Sequence, residues 1–161
     1  MKNNLLSGEF AGQNAINELK RQIDDPLARK IQLKGLYGSS KSLAFSSTLK
    51  KGVNIVIMDN KDEAQFFTNA LYNLLDEESV FFFPASSNYV SNKINTIKDS
   101  SQKVQRSAAI SALNAFISSK SSDKHLVLVA YPASIYENVP NSNVLKKNIL
   151  KIRKGELVTH E

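Results

Sequence analysis

The spacing of apolar residues changes several times along this chain of 161 residues, and each change marks an element. Ala11, Ala15, Ile16, Leu19 and Ile23 recur at helical spacing, and Pro26 stops that helix. Ile31 to Leu36 alternates apolar with polar positions and predicts a strand running into a glycine-containing turn. A helix follows, capped by Ser40 or Ser42, with Leu43, Ala44 and Leu49 on its buried side and Gly52 at its end. Val53 to Met58 is an almost unbroken apolar run, the pattern of a strand buried on both faces. Asp62 to Leu75 predicts the next helix, with Ala64, Phe67, Leu71, Leu74 and Leu75 on one side. Val80 to Phe83 predicts a short buried strand closed by Pro84.

From Ala85 to Lys103 the sequence turns to Ser, Asn and Lys, which predicts an exposed loop with one helical turn. Val104, Ala108, Ile110, Leu113, Ala115, Phe116 and Ile117 predict a strong helix, and residues 118–124 a polar connector. Leu126 to Ala130 is another buried strand, and Pro132 to Tyr136 a turn or helix start. Strands alternating with helices imply an α/β fold with a parallel sheet flanked by helices on both faces. After Pro140 the chain becomes basic, and Leu145 to Arg153 reads as a lone strand. The expected organisation is an N-terminal helical segment over 1–27, an α/β domain over 28–143, and the truncated opening of a second domain over 144–161.

Composition narrows the class. Apolar residues make up 42% and charged residues 22%, so a globular chain is expected. There is no cysteine, which removes disulfides and thiolate metal sites and suits a reducing cytoplasm. No apolar run approaches the ~20 residues of a membrane span, and the start lacks the apolar core of a signal peptide. The net charge of +6 fits nucleic acid or an acidic protein partner, and equally a plain soluble surface.

Candidate chemistry concentrates in Gly35-Leu-Tyr-Gly-Ser-Ser-Lys-Ser42. The phosphate-binding loop pattern is G-x-x-x-x-G-K-[ST] between a strand and a helix. Gly35, Lys41 and Ser42 match it, whereas Ser40 replaces the glycine before the lysine and puts a Cβ where the backbone must approach the phosphate. A working site also needs an acid to organise Mg²⁺ at the end of a later strand. Asp59 follows an apolar strand but stands where any loop would begin, and Leu126 to Ala130 ends in Tyr131-Pro132 with no carboxylate. The residues Gly35, Gly38, Ser40, Lys41 and Ser42 therefore read as a degenerate loop, with no cofactor, metal or catalytic residue expected.

Other charged and aromatic residues fit plain structural roles as well as functional ones. Arg106 is a partner-contact candidate, with a solvated helix face as the blander reading. Lys147, Lys151 and Arg153 could steer an acidic partner or blunt an edge strand. His125 and His160 lack cysteine partners and sit in different elements, which argues against a metal site. Tyr89 and Phe81 to Phe83 read as core and rim rather than a base-stacking platform.

Taken in order, several segments resemble a known family. Gly35 to Ser42 is similar to the P-loop region of UvrB and closer to its degenerate counterpart in the N-terminal module of bacterial transcription-repair coupling factors. Asp59 to Phe66, Val104 to Leu113, Leu126 to Tyr136 and Ile152 to Leu157 resemble successive segments of the same proteins. The likeness covers about residues 28–161, and it rests on the order and spacing of the motifs together. The long aromatic hairpin that UvrB places after its third strand has no counterpart here, which favours the coupling factor. The resemblance implies a degenerate P-loop, helicase-like fold (UvrB domain 1a-like) and a non-catalytic portion of a longer protein. That protein would displace stalled RNA polymerase from damaged DNA with ATP and Mg²⁺ in a separate motor, and would recruit UvrA. It further implies intramolecular contacts with other domains and DNA contact through the full protein. The alternatives are an active P-loop NTPase with a serine-substituted loop, or a basic nucleic-acid-binding module.

Overall fold

The sheet is built on the most apolar segment of the chain. In a computed structural model that describes residues 5–86, 100–119, 123–139 and 144, strand β3 (His125–Ala130) lies between β1 (Gly52–Ile57) and β2 (Val80–Phe82). The three-stranded sheet has the order β1-β3-β2 and every pairing is parallel. The helices are α1 (Leu5–Ala11), α2 (Asn14–Asp24), α3 (Ser40–Ser47), α4 (Lys61–Leu74), α5 (Ser100–Ser119) and α6 (Pro132–Tyr136). The fold is α/β with an open parallel sheet and flanking helices. Among the described residues no helix is long and apolar enough to cross a membrane.

Each face of the sheet carries its own core. Val127 and Val129 of β3 and Val80 and Phe82 of β2 meet Ala64, Phe67 and Leu71 of α4. Phe45 of α3 packs edge-on against Phe67, with ring centroids 5.8 Å apart. On the opposite face Leu126 and Leu128 meet Ala109 of α5, with Phe81, Phe83, Leu113 and Phe116 around them. Helix α4 begins where the Asn60 side chain accepts the Glu63 N–H at 2.9 Å, and Asp62 and Glu63 in the first turn complement the helix dipole.

Several expectations are corrected. Residues 28–37 contain no strand, so the glycine turn is entered from coil. The apolar run at 53–58 does form a strand, but one buried on a single face: Val53, Ile55 and Ile57 are 39%, 63% and 60% exposed. The run sits at the sheet edge, and α5 covers only the β2–β3 side of that face. Neither Ser40 nor Ser42 caps α3, because both lie inside the helix with hydroxyls turned back to carbonyls three residues earlier. Gly52 opens β1 rather than ending α3, which stops at Ser47, where Thr48 donates its hydroxyl to Ala44 O at 2.8 Å. The first helix is two, divided at Gly12–Gln13, with Ile16 and Leu19 buried in the second. Tyr89, the tail strand over 145–153 and His160 lie outside the described residues.

Candidate functional site

The glycine turn lies at the carboxyl end of the sheet, where parallel α/β sheets hold ligands. Gly35 and Gly38 have φ of +77° and +53°, the left-handed region that favours glycine. A Cβ added at either would meet nothing within 4 Å, so backbone angle and not crowding calls for glycine there. The turn feeds α3, and Gly38, Ser39, Lys41 and Ser42 form one wall of a cleft of ≈ 300 Å³. The other wall is Met58 at the end of β1 with Glu63, Phe66, Phe67 and Ala70 of α4. Phe66 is exposed, as is Tyr37 just ahead of Gly38 in the chain.

Both serine hydroxyls of the loop turn their protons back into it. Ser40 Oγ donates to Tyr37 O at 2.7 Å, and the buried Ser42 Oγ donates to Ser39 O at 2.9 Å. Lys41 is exposed. The carboxylate on the cleft is Glu63, which the sequence reading passed over. Asp59 is an exposed loop residue ahead of the Asn60 cap. The structure therefore gathers Gly38, Lys41 and Ser42 on one wall, as the loop motif would, without a strand leading in. Among the described residues no group of three or more His, Cys, Asp or Glu side chains could hold a metal ion. The buried His125 Nε2, at the start of β3, has no hydrogen-bond partner among the described residues.

A second cluster sits at the same end of the sheet. Arg106 of α5 is 6% exposed, which corrects the reading of a solvated helix face. Its guanidinium donates from Nη1 to Pro84 O at 2.8 Å and Ser134 O at 3.0 Å, and from Nη2 to Glu137 O at 3.1 Å. It lies 4.1 Å over the Phe83 ring, and the Glu137 carboxylate is 3.7 Å away. The planar fork of arginine suits this set of carbonyls, which lysine could not reach together. Glu137 in turn accepts the Ser86 N–H at 2.6 Å and the Ser86 hydroxyl. Burial pushes the Glu137 carboxyl up, but the Ser86 hydroxyl and N–H and the Arg106 charge outweigh it and hold the group below the ordinary carboxylate range. Burial lowers the Arg106 pKa, and Glu137 offsets part of that.

Nearby, Tyr131 Oη accepts the Ala85 N–H at 2.9 Å, and the Tyr131 ring stacks on Phe82. Ser134 Oγ accepts from Tyr131 N–H and donates to Tyr131 O, closing the first turn of α6. The cluster joins α5, the end of β2 and α6 through bonds within the chain. Phe83-Pro-Ala-Ser86 and Tyr131-Pro-Ala-Ser134 gave no sign of it, because the partners are main-chain carbonyls. Lys147, Lys151 and Arg153 lie outside the described residues. The chain matches no family model, no curated protein and no solved structure.

Proposed function

We propose that this chain is a non-catalytic, UvrB-like α/β module of the transcription-repair coupling factor kind. It acts by contact within a longer protein that displaces stalled RNA polymerase with an ATP-driven motor elsewhere and recruits UvrA. Residues 28–143 would form the module, and residues 144–161 would open the next domain. The observation that carries the non-catalytic reading is that the glycine turn is entered from coil and that Ser42 is buried. Ser40 and Ser42 are bonded to the loop's own carbonyls, and coil replaces the strand that should hold the turn. A polyphosphate here would also face the Glu63 carboxylate across the cleft.

Isothermal titration calorimetry of the chain with ATP and Mg²⁺ is expected to give no binding heat. A second reading, an active NTPase with serine at position 40, is favoured by the cleft beside Lys41. Micromolar ATP binding that disappears in Lys41→Ala would overturn the first reading and establish the second. The downstream gene sequence is a further check, since the proposal expects a polymerase-interaction domain and an intact helicase motor there.

A further inference from the structure

The net charge is concentrated in one stretch of the chain. Between Pro26 and Met58 stand Arg29, Lys30, Lys34, Lys41, Lys50 and Lys51 and no Asp or Glu, so this stretch accounts for the whole net charge of +6 and the remainder is balanced. Lys50 and Lys51 are paired with Asp24 and Asp123 at the surface. Arg29, Lys30, Lys34 and Lys41 are exposed, and among the described residues none of them makes an ion pair or a side-chain hydrogen bond. The first three stand in the coil that leads into the glycine turn. From Arg29 to Ser39 no main-chain N–H donates a hydrogen bond among the described residues, so this mostly exposed coil keeps a row of donors beside its cations. Two exposed rings border the turn. Tyr37, 83% exposed, precedes Gly38, and Phe66, 76% exposed, lines the cleft with Gly38 and Lys41. Of the acids nearby, Asp24 is paired with Lys50 and Asp25 accepts the Leu27 N–H, while Glu63 faces the turn across the cleft.

We propose that the coil from Arg29 to the start of α3 is a binding site for a single-stranded polynucleotide. Cations set along an extended surface neutralise successive phosphates, unpaired main-chain N–H groups donate to phosphate oxygens, and exposed rings stack on unpaired bases. The segment supplies all three and carries no acid of its own. At most about 40 Å of extended chain separates Arg29 from Lys41. That is room for roughly six nucleotides, within the range that single-strand sites cover. A duplex suits the surface less well, because its bases are stacked on one another and offer Tyr37 and Phe66 no open face. A strand carries one charge per nucleotide, so Lys41 meets a single phosphate at the cleft, whereas a polyphosphate would crowd several against Glu63. Leu27 and Leu33 are exposed in the same segment, which makes an anionic lipid surface the rival occupant that the test must separate. The site goes beyond the proposed function and stands whether or not ATP binds.

Fluorescence anisotropy with labelled oligothymidylate and oligouridylate of about twelve nucleotides tests the site, and the two probes separate DNA from RNA. At least one is expected to bind with a dissociation constant on the order of 10 µM at about 50 mM salt. With four phosphates neutralised, the logarithm of the binding constant should fall against the logarithm of salt with a slope of about −3. Lys30→Ala combined with Lys34→Ala should reduce the slope to about −1.4. Tyr37→Ala should weaken binding about tenfold at an unchanged slope, since stacking releases no counterions. Lys124→Ala, an exposed change just ahead of β3 at the other end of the sheet, should alter neither. All of these side chains are exposed, so the variants retain the fold, and none is Lys41, so the outcome is independent of the ATP titration. No binding of either oligonucleotide at about 100 µM protein, the weak end of specific association, would overturn the proposal. So would a slope unmoved by the double lysine variant, an affinity untouched by Tyr37→Ala, equal binding of a duplex of the same length, or tighter binding to phosphatidylserine vesicles than to either strand.

Discussion

Arg106 shows how one side chain can fix the end of a sheet. It reaches main-chain carbonyls of Pro84, Ser134 and Glu137, groups that burial would otherwise leave without donors. Replacing it with leucine would strand those carbonyls and the Glu137 carboxylate. Arg106→Leu is therefore expected to cost about 3–5 kcal/mol in urea unfolding, and Arg106→Lys a smaller part of that. The Glu137 carboxyl is held below its ordinary value of 4.5 in the folded chain. A depressed carboxyl contributes stability that is present above the unfolded pKa and lost as pH falls through the folded one. Glu137→Gln is accordingly expected to flatten the loss of stability between pH 5 and more acidic conditions. An unchanged acid slope would remove this role for the ion pair.

At the scale of elements, α4 carries the clearest local instructions. Asn60 caps it, acids occupy its first turn, and Ala64, Phe67, Thr68 and Leu71 bury one side. Asn60→Ala is expected to lower stability by about 1 kcal/mol, with Asn60→Asp restoring most of it. Helix α3 is the contrary case. It has no side-chain cap, and its serines bond backward into the helix, a pattern that competes with capping. Strands β1 and β3 are both six residues long and mostly apolar, yet one is an edge and the other the centre. Residues on both sides of β3 are buried, whereas β1 alternates. Periodicity hinted at the difference only through Asn54, since a strand's neighbours are set by where the chain returns.

The whole molecule depends on β3, because it supplies both cores. Val127 and Val129 face α4, while Leu126 and Leu128 face α5. Neither layer can loosen without exposing the other, so one cooperative unfolding transition is expected. Leu71→Ala, at a fully buried position, should lower stability by about 3 kcal/mol in chemical denaturation while leaving a single transition.

Sequence alone determined the alternation of elements, the α/β class with a parallel sheet, the helices over α4 and α5, and the strands at 53–58, 80–83 and 126–130. Those follow from local period and from the handed connections that parallel strands require. It also placed a glycine turn ahead of a helix at 35–42, because positive φ at Gly35 and Gly38 is a local demand. Only the tertiary structure decided that coil leads into that turn and that, among the described residues, β1 is an edge strand with one face exposed. It likewise decided that Arg106 is buried among three carbonyls from two separate parts of the chain. These depend on contacts between residues distant in sequence, which no local spacing encodes.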